Sequence, residues 1–524
     1  MPRPAFSVEK CRPVRSLQPV GGRGVWRVSF AVELGCTGCG SAFPVDEPYQ
    51  FCPRCGDVLL VSYDYDAVSS DLSRKELQTR PPGVWKYSEL LPINEPEHVV
   101  SLSEGGTELR RCTRLAQKLG VRDLYVKDET TNPTGHFLDR GTTVDVSKAV
   151  ELGFTYLKCV SSGSEGASLA AYAARANMGC SVLLPAGDLG KIDLFKIYQI
   201  VAYGASIAVE KKWGRRAKAL QPLGAEYCVS LSSPFFVEGE KTTGYETLEQ
   251  LGWKCPDRII VPMGNGTHLS MTWKGIKEMQ QTGLIDEAST MMTGVQVSGC
   301  APIVEALRRG GELPEPALRA ETIAPDLAMT KPLHGALAIQ SIKESRGGGV
   351  VVSTDEILEA TTLLAKTEGI FAEPAAASTI AGLKKLLETD KAMRSETVVC
   401  IITGRGIKDA STIRRLVERV KNIDEILAGT TTQESLSTLG PTKLKILQLV
   451  SKKESYGYGL ADELEEKYGI QIDVSSVYQH LLELERMRLI RRTEAKSVLA
   501  RPKRKYYEVT TLGRELLNSP RADE

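Results

Sequence analysis

The middle of the chain alternates between short apolar runs and segments with helical periodicity. Each run has about four to eight residues, is rich in β-branched side chains and ends at Gly or Pro, so it predicts a strand. The segments between the runs, such as 168–178 and 378–389, repeat apolar residues at helical spacing. Because strands that alternate with helices are typical of parallel sheets, the pattern predicts an α/β body over residues 65–424. Six of the predicted strands are 155–160, 180–186, 205–210, 258–263, 294–299 and 397–404.

A different pattern follows at the C-terminus. Residues 425–441 are rich in Thr, Ser and Gly and show no periodicity, which indicates a linker. Beyond it, three segments with helical spacing precede a β-rich run and a short last helix. Three helices and a two-stranded wing make up a winged helix-turn-helix domain, which is predicted here over 442–518. The helical segments are 444–452, 456–470 and 475–492, and Ser475 or Ser476 is the predicted N-cap of the third.

Length and composition agree with a multidomain protein of the cytoplasm. At about 100–200 residues per domain, a chain of 524 residues predicts about three domains. A stretch of about 18 apolar residues, which a transmembrane helix requires, is absent from the sequence. The N-terminal segment also lacks the apolar core of a signal peptide. We therefore expect a cytoplasmic protein without a membrane partner.

The net charge of +1 is a sum over unlike parts of the chain. Residues 441–518 carry 15 Lys and Arg and 11 Asp and Glu, so the rest of the chain is slightly acidic. Within 486–505 there are nine basic residues and one acid, Glu494, and Tyr506 and Tyr507 follow directly. Such a stretch is typical of a surface that binds nucleic-acid phosphates, and a solvated charge run is the alternative interpretation.

Four of the twelve cysteines form two matching knuckles. Cys36, Cys39, Cys52 and Cys55 are arranged as two CxxCG motifs separated by twelve residues. Each motif brings two thiolates to one ion from a tight turn, and the Gly permits the positive φ of that turn. Two knuckles complete a tetrahedral four-sulfur shell with no open position. The pattern predicts a structural zinc ribbon over residues 30–62, in preference to four unrelated cysteines or a redox pair.

Gly-rich turns follow three predicted strands, at 161–166, 264–267 and 403–406. In an open α/β sheet, ligands bind beyond the carboxyl ends of the strands, where backbone N–H groups and helix N-termini point at anions. Three such turns in one domain predict a site for a phosphorylated small molecule. The turn that precedes a helical segment and fits a phosphate cradle consists of Gly264, Asn265, Gly266 and Thr267.

Several sequence blocks point to one enzyme family. They include LSEGGT (102–107), NPTGHFLDRG (132–141), VPMGNGT (261–267) and EGIFAEPAAA (368–377), and they follow one another in the family's order. Through these blocks the chain resembles threonine synthase, a pyridoxal-phosphate enzyme of the tryptophan-synthase-β fold type. The resemblance implies an α/β, two-lobed fold type II body with parallel-sheet cores. Some family members also carry an N-terminal zinc ribbon.

The chain differs from this family at residues that bind or react with the cofactor and the substrate. The family motif NPTGSFKDRG has a Lys that forms the Schiff base with the cofactor, whereas this sequence has Leu138 there and His136 in place of Ser. The strand-end Asn that contacts the pyridine hydroxyl in the family is Ser164 here, beside Glu165. An Arg that holds the substrate phosphate is replaced by Phe236. Leucine supplies neither a covalent link nor a base, and the loss of a general base costs about 10²–10⁴ in rate.

The cofactor phosphate loop, in contrast, is intact. The resemblance assigns cofactor binding to Gly264, Asn265, Gly266 and Thr267, to Ser164 and to Thr403, whose hydroxyl faces the pyridine nitrogen in the family. Pyridoxal phosphate, if it binds, is then expected to bind non-covalently. His136 is either a replacement base or a hydrogen-bonded pocket residue. Three lysines in similar blocks occupy other positions in the family: Lys127, Lys148 and Lys241.

The C-terminal segment resembles the PadR-type regulators. The similarity runs through YGYGLADEL (456–464), SSVYQHLLELERMRLI (475–490) and RKYYEVT (504–510). In such a domain the third helix enters the major groove and the wing reaches phosphates or the minor groove. The resemblance implies a homodimer that binds double-stranded DNA. The predicted DNA contacts are Ser475, Ser476, Tyr478, Gln479, Arg491, Arg492, Lys503, Arg504 and Lys505.

Three functional hypotheses fit these observations. In the first, a transcription regulator senses an amino acid, a phosphorylated metabolite or pyridoxal phosphate through a threonine-synthase-like body without catalysis. In the second, the body is an active threonine synthase or a related lyase with an appended DNA-binding domain. In the third, the chain is a scaffold that binds neither cofactor nor metabolite. The missing lysine at position 138 favours the first hypothesis.

Overall fold

The computed structural model describes residues 28–161, 163–185, 193–210, 225–318, 322–409, 439–487, 489–493 and 506–517. By packing, the chain divides into two units, Met1–Leu416 and Val417–Glu524. The predicted linker 425–441 lies outside the described residues except for positions 439–441. The domain boundaries inferred from the sequence therefore stay predictions. Within the described ranges, every helix is too short or too polar to cross a membrane.

The N-terminal ribbon is a small antiparallel sheet. Its strands are β1 (Ala31–Cys36), β2 (Ala42–Phe43) and β3 (Leu59–Tyr63), with β1 in the middle. Leu34 and Val61 lie on its inner face and are buried. They belong to the same apolar cluster as Trp273 and Ile276 of the body. The ribbon therefore shares a core with the body.

Helices and strands alternate along the body, as the hydrophobic pattern predicts. The strands are β4 (Leu109–Arg111), β5 (Asp123–Asp128), β6 (Tyr156–Val160), β7 (Gly179–Pro185), β8 (Ser206–Glu210), β9 (Glu226–Cys228), β10 (Arg258–Pro262), β11 (Met291–Val297), β12 (Gly348–Val352) and β13 (Thr397–Ile402). The helices are α1 (Tyr65–Asp71), α2 (Arg74–Thr79), α3 (Thr113–Leu119), α4 (Asp139–Glu151), α5 (Ser164–Arg175), α6 (Leu194–Ala202), α7 (Pro234–Glu240), α8 (Thr242–Gln250), α9 (Thr267–Gln281), α10 (Pro302–Arg308), α11 (Gly335–Glu344), α12 (Thr354–Glu368) and α13 (Pro374–Thr389). All six predicted strands are confirmed to within three residues at each end.

The body contains two sheets with parallel cores. The larger has the order β12-β11-β10-β13-β5-β4 and is parallel except for the edge strand β4. The smaller has the order β8-β7-β6-β9 and is parallel throughout. Central strands such as β10 and β13 are continuous apolar runs because helices cover both faces of a parallel sheet. The predicted two-lobed α/β fold is thus confirmed.

Asp145 in α4 carries a buried carboxyl group whose described partners are neutral donors. The Tyr227 hydroxyl (2.8 Å), the Ser233 hydroxyl (2.6 Å) and the Ser230 N–H (3.4 Å) donate to it. Burial raises the pKa of Asp145 to about 7, despite these hydrogen bonds. The folded state therefore binds a proton that the unfolded state releases at about pH 4.

The stability of the protein is expected to fall as pH rises from about 4 to 7 through this group, because there the folded state holds more protons than the unfolded state. Asp145→Asn removes the titration and should reduce that fall by roughly 2–4 kcal/mol, measured by urea unfolding at several pH values. Asp286→Asn, at an exposed position, is the control and should leave the pH slope unchanged. Equal slopes in wild type and Asp145→Asn would contradict the assignment.

The C-terminal unit consists of three helices, an antiparallel hairpin and a last helix. These are α14 (Pro441–Lys452), α15 (Gly457–Tyr468), α16 (Val474–Arg486), β14 (Ile490–Thr493), β15 (Tyr506–Val509) and α17 (Thr511–Leu517). Their apolar faces form one buried cluster that includes Ile446, Leu460 and Leu481. The architecture is that of the predicted winged helix.

The start of α16 corrects one prediction. Its N-cap is Asp473, and neither Ser475 nor Ser476 has that role. The Asp473 carboxylate accepts the Ser476 N–H at 3.0 Å and the Ser476 hydroxyl at 2.6 Å. Asp, Ser and Thr are all favoured N-cap residues, so the sequence offered several adjacent candidates. The helix therefore begins at Val474, earlier than predicted.

Candidate functional site

The carboxyl ends of strands from both sheets border one cleft in the Met1–Leu416 unit. The loop after β10, the end of β13 at Thr403, and Ser161 and Ser164 after β6 line it. The segment before α4, which contains Leu138, also lines it. The cleft has an empty volume of ≈ 770 Å³, which includes its open mouth.

Leu138 borders this cleft where the resemblance places a lysine. It lies directly before α4 and is 5% exposed. Its side chain belongs to the apolar cluster of the smaller lobe, together with Val146 and Phe236. Among the described residues that line the cleft, none is Lys or Arg. The described lining residues therefore offer no amine for a covalent bond to an aldehyde, and the buried ammonium group of Lys196 contacts one of them, Asp326, at 3.4 Å.

The three alternative lysines are engaged elsewhere in the body. Lys127 pairs with Glu246 at 2.7 Å, and Lys148 pairs with Glu151 at 2.5 Å. Lys241 pairs with Glu278 at 2.9 Å. All three ammonium groups are buried, and none of these lysines lines the cleft.

The phosphate cradle has the backbone geometry that its glycines require. Gly266 has φ +88° and precedes the N-terminus of the 15-residue helix α9. A Cβ atom on Gly264 would lie 2.4 Å from the carbonyl oxygen of Asp326. The Asn265 side chain accepts the Leu333 N–H at 2.8 Å, which fixes the loop. The N–H groups at the start of α9 are thus available for an anion.

His136 is hydrogen-bonded on both ring nitrogens. The Leu138 N–H donates to Nδ1 at 3.4 Å, which assigns the proton to Nε2. Nε2 in turn lies 3.1 Å from Oε1 of Glu373, and the Thr403 hydroxyl donates to the same oxygen at 3.4 Å. Of the two roles considered for His136, the geometry favours that of a hydrogen-bonded pocket residue.

Three buried polar atoms that line the cleft have no hydrogen-bond partner among the described residues: Ser164 Oγ, Glu240 Oε2 and His268 Nδ1. Burial, together with nearby Glu165, raises the pKa of Glu240 well above its usual range. Burial lowers the pKa of His268 to about 3, so this imidazole is neutral, and it stacks on Phe137 at 4.2 Å. Buried polar atoms without partners are costly, so the cleft has the chemistry of a ligand site.

Phe236 is not among the residues that line the cleft. Its ring is fully buried against Gly141 of α4, where a Cβ atom would lie 2.3 Å from it. The position inferred for a substrate-phosphate Arg therefore belongs to the packing beneath α4. A guanidinium there would meet an apolar cluster.

Sequence reasoning did not identify several residues of the cleft. Glu373 lies within a block that resembles the family, which was a usable signal. His268 directly follows the cradle along the chain, so its position was a second signal. Asp326 has no local motif, and the fold brings it and Glu240 to the cleft from distant segments.

The four predicted zinc ligands come together in the ribbon. Cys36, Cys39, Cys52 and Cys55 offer sulfur atoms that all lie within 4.8 Å of one another. The Cys36–Cys55 sulfur distance is 3.4 Å and the Cys39–Cys52 distance is 3.7 Å. In a tetrahedral site with Zn–S bonds of about 2.3 Å, the sulfur atoms are about 3.8 Å apart. The cluster therefore fits a tetrahedral metal ion.

The predicted DNA contacts differ in accessibility. Ser475 and Gln479 are exposed on one side of α16, and Ser476 is partly exposed. Tyr478 is partly buried, because its ring packs against Gly457 of α15. These positions leave the first two turns of α16 open to a partner on one side.

The wing arginines are paired within their own domain. Arg491 pairs with Glu508 across the hairpin, and Arg492 pairs with Glu485 of α16 at 2.8 Å. The side chains of Arg491 and Arg492 are 71% and 42% exposed. The other predicted contacts of the wing, Lys503, Arg504 and Lys505, lie outside the described residues.

Each of the two units contains one family match. Residues 100–404 match the family described as "Pyridoxal-phosphate dependent enzyme". Residues 446–519 match the "Transcriptional regulator PadR-like family". Among solved structures, maize serine racemase superposes with a TM-score of 0.50 at 18% identity, over 60% of this chain and 92% of that chain. This likeness concerns the fold alone.

Curated relatives extend the similarity beyond the fold. Over 391 residues the chain is 45% identical to a protein named threonine synthase from Methanocaldococcus jannaschii, covering 74% of this chain and 95% of that protein. A threonine synthase from Methanosarcina acetivorans is 40% identical over 75% of this chain and 96% of its own length. The chain therefore belongs to the family of pyridoxal-phosphate dependent enzymes that includes these threonine synthases, and it carries a PadR-like domain at its C-terminus.

Proposed function

We propose that this protein is a transcription regulator whose threonine-synthase-like body binds a phosphorylated small ligand non-covalently. The observation that carries the proposal is the pairing of an intact phosphate cradle with Leu138 in the same cleft. The PadR-like domain supplies the output, because a ligand that binds the body can change how two such domains meet DNA. The proposed location is the cytoplasm.

The residues present fit the phosphate of pyridoxal phosphate but not its covalent attachment. Gly264, Asn265, Gly266 and Thr267 would hold the phosphate, and Thr403 would face the ring nitrogen. When bound, the cofactor supplies an electron sink for carbanions. The groups that this chain contributes to the cleft would bind and orient the ligand, since none of the described residues that line it is a lysine that could move a proton.

The test is to incubate the purified protein with pyridoxal phosphate, reduce it with borohydride and search for a modified lysine by mass spectrometry. We expect no modified lysine, because none of the described residues that line the cleft is a lysine. Release of phosphate from O-phosphohomoserine should likewise be absent. Covalent labelling of a lysine, or turnover by the wild type, would overturn the proposal.

An active enzyme is the second candidate function. It is favoured by 45% identity over 95% of a threonine synthase and by the hydrogen-bonded His136–Glu373 pair in the cleft. In that case His136 would move a proton in place of the missing lysine. The same phosphate-release assay separates the two functions, and His136→Gln should then abolish turnover.

We also propose that the ribbon cysteines hold a structural zinc ion. Cys52→Ser is expected to lower zinc content from about one per chain to near zero, measured after denaturation with a colorimetric chelator. Because the ribbon shares a core with the body, the free energy of unfolding should also fall, by roughly several kcal/mol. Cys255→Ser, outside the cluster, is the control. Unchanged zinc content in Cys52→Ser would contradict the assignment.

We propose further that the winged helix binds double-stranded DNA as a homodimer, with α16 in the major groove and the wing on phosphates. Changing Lys503, Arg504 and Lys505 together to Ala should weaken binding and flatten the plot of log affinity against log salt by about 0.9 per lost phosphate contact. Lys467→Ala is the matched control, since its ammonium pairs with Glu463 at 2.7 Å on α15. Unchanged affinity and slope in the triple variant would show that the wing does not contact phosphates.

A further inference from the structure

A buried histidine, His334, lies behind the phosphate cradle. Its ring nitrogen Nδ1 is 2.5 Å from the hydroxyl oxygen of Thr267, the last residue of the cradle. His334 is 1% exposed and is not among the residues that line the cleft, whereas Thr267 is. The imidazole therefore meets the cleft through the Thr267 hydroxyl and not directly.

The backbone around His334 is hydrogen-bonded to the cradle. The His334 N–H donates to the carbonyl oxygen of Asn265 at 3.2 Å, and the Leu333 N–H donates to the Asn265 side chain at 2.8 Å. A Cβ atom on Gly266 would lie 3.0 Å from the His334 carbonyl oxygen, so the two segments also pack closely. These contacts fix the position of the imidazole relative to Thr267.

The imidazole of His334 is neutral and carries one proton. Burial lowers its pKa to about 4, well below physiological pH. The ring nitrogen Nε2 has no hydrogen-bond partner among the described residues. Buried N–H groups without partners are rarer in folded proteins than buried acceptors without partners. This accounting assigns the proton to Nδ1, so that Nδ1–H donates to the Thr267 oxygen.

This tautomer leaves the hydroxyl proton of Thr267 free. A hydroxyl group donates one proton and accepts through its oxygen. Because the Thr267 oxygen accepts the Nδ1–H, its own proton is available to a group in the cleft. With the opposite tautomer, Nδ1 would accept that proton, and Thr267 would present only lone pairs to an anion. His334 therefore makes Thr267 a hydrogen-bond donor toward the cleft.

A phosphate in the cradle depends on neutral donors of this kind. Among the described residues that line the cleft, none is Lys or Arg, and the cradle offers N–H groups at the start of α9 together with the Thr267 hydroxyl. We infer that His334 is a positioning residue for phosphate recognition, which holds Thr267 as a donor to the phosphate and so increases the preference of the cleft for phosphorylated ligands. The inference rests on the proposed function, since it assumes a non-covalent phosphorylated ligand in this cleft.

The test compares two ligands that differ only in the phosphate, pyridoxine phosphate and pyridoxine. Neither has an aldehyde that could react with surface lysines. Isothermal titration calorimetry with the full chain gives both affinities, and inorganic phosphate is titrated as a second phosphate probe. His334→Leu removes the Nδ1–H and should weaken pyridoxine phosphate by about tenfold, as expected for a hydrogen bond to a charged group, while pyridoxine changes by less than about twofold.

Two further changes show whether His334 acts through Thr267. Thr267→Val removes the hydroxyl and should also weaken pyridoxine phosphate by about tenfold. When His334→Leu is combined with Thr267→Val, the loss should equal that of Thr267→Val alone, because the histidine then has no hydroxyl to orient. His334→Asn should recover most of the affinity that His334→Leu loses, since its amide N–H can donate near the position of Nδ1.

The control is His98→Leu, at a partly exposed histidine that does not line the cleft, and it should bind both ligands like the wild type. His334→Met, which also lacks the N–H, is measured in parallel so that misfolding of one variant does not decide the result. The melting temperature of each ligand-free variant reports its folding.

The outcomes separate the inference from the proposed function. Unchanged affinity for pyridoxine phosphate in folded His334→Leu or His334→Met would overturn the inference. An equal loss for both ligands, or losses that add in the double variant, would mean a structural role and would overturn it too. In each of these cases non-covalent phosphate binding stays in place. Wild type that binds neither pyridoxine phosphate nor inorganic phosphate would overturn the proposed function itself, and the inference with it.

Discussion

Leu138→Lys is expected to convert the cleft from non-covalent to covalent binding of pyridoxal phosphate. Residue 138 borders the cleft at the start of α4, so an amine at this position would enter the site that the cradle also lines. After borohydride reduction, mass spectrometry should find about one cofactor per chain in the variant and none in the wild type.

We expect Leu138→Lys to attach the cofactor without restoring full enzymatic turnover. Ser164 and Phe236 still differ from the family in the variant, so phosphate release should stay at least about 10²-fold below that of a complete threonine synthase. Leu138→Met, which keeps the apolar packing and adds no amine, is the control and should remain unlabelled. If wild type and Leu138→Met were labelled like Leu138→Lys, another lysine would be reacting, and the regulator proposal would fail.

The fold was predictable because its signals are local. Strands β10 and β13 are uninterrupted apolar runs, and helices such as α13 repeat apolar residues with a period near 3.6. The cysteine knuckles are also local signals, since the two cysteines of each pair lie within four consecutive residues. The N-cap of α16 was missed because Asp473, Ser475 and Ser476 are all good caps, and local propensity does not rank them.

The site was predictable only in part, for a physical reason. The cradle and the missing lysine at position 138 lie in contiguous motifs. Another part of the cleft brings together Asp326, Glu373 and His136, which are widely separated along the chain and meet only in the folded protein. Likewise, no sequence pattern shows that Glu240 and His268 have buried atoms without partners. Such features arise from packing, so they require coordinates.

A buried ion network supports the segment that carries Leu138. Arg140 donates to Glu129 through Nε at 2.7 Å and to Glu246 through a terminal nitrogen at 2.7 Å, and Lys127 pairs with Glu246 at 2.7 Å. Burial alone would raise the pKa of Glu129 and Glu246, but Arg140 holds the pKa of both carboxyls below the usual range. The ionised carboxylates of Glu129 and Glu246 therefore stabilise the folded state at neutral pH. This stabilisation is lost as pH falls through the pKa values that the two groups have in the folded state.

Arg140→Met is expected to cost about 3–5 kcal/mol of unfolding free energy at pH 7, because it leaves buried carboxylates without their main partner. The cost should shrink toward pH 4, where these carboxyls, no longer held down by Arg140, take up protons. Adding Glu246→Gln should restore part of the loss at pH 7. Arg111→Met removes a comparable pair, Arg111–Asp123 at 2.6 Å, from a residue that is 60% exposed, and should cost far less than Arg140→Met because solvent screens the exposed pair. A deficit in Arg140→Met that is the same at both pH values would mean that packing, not charge, holds α4 in place beneath the cleft.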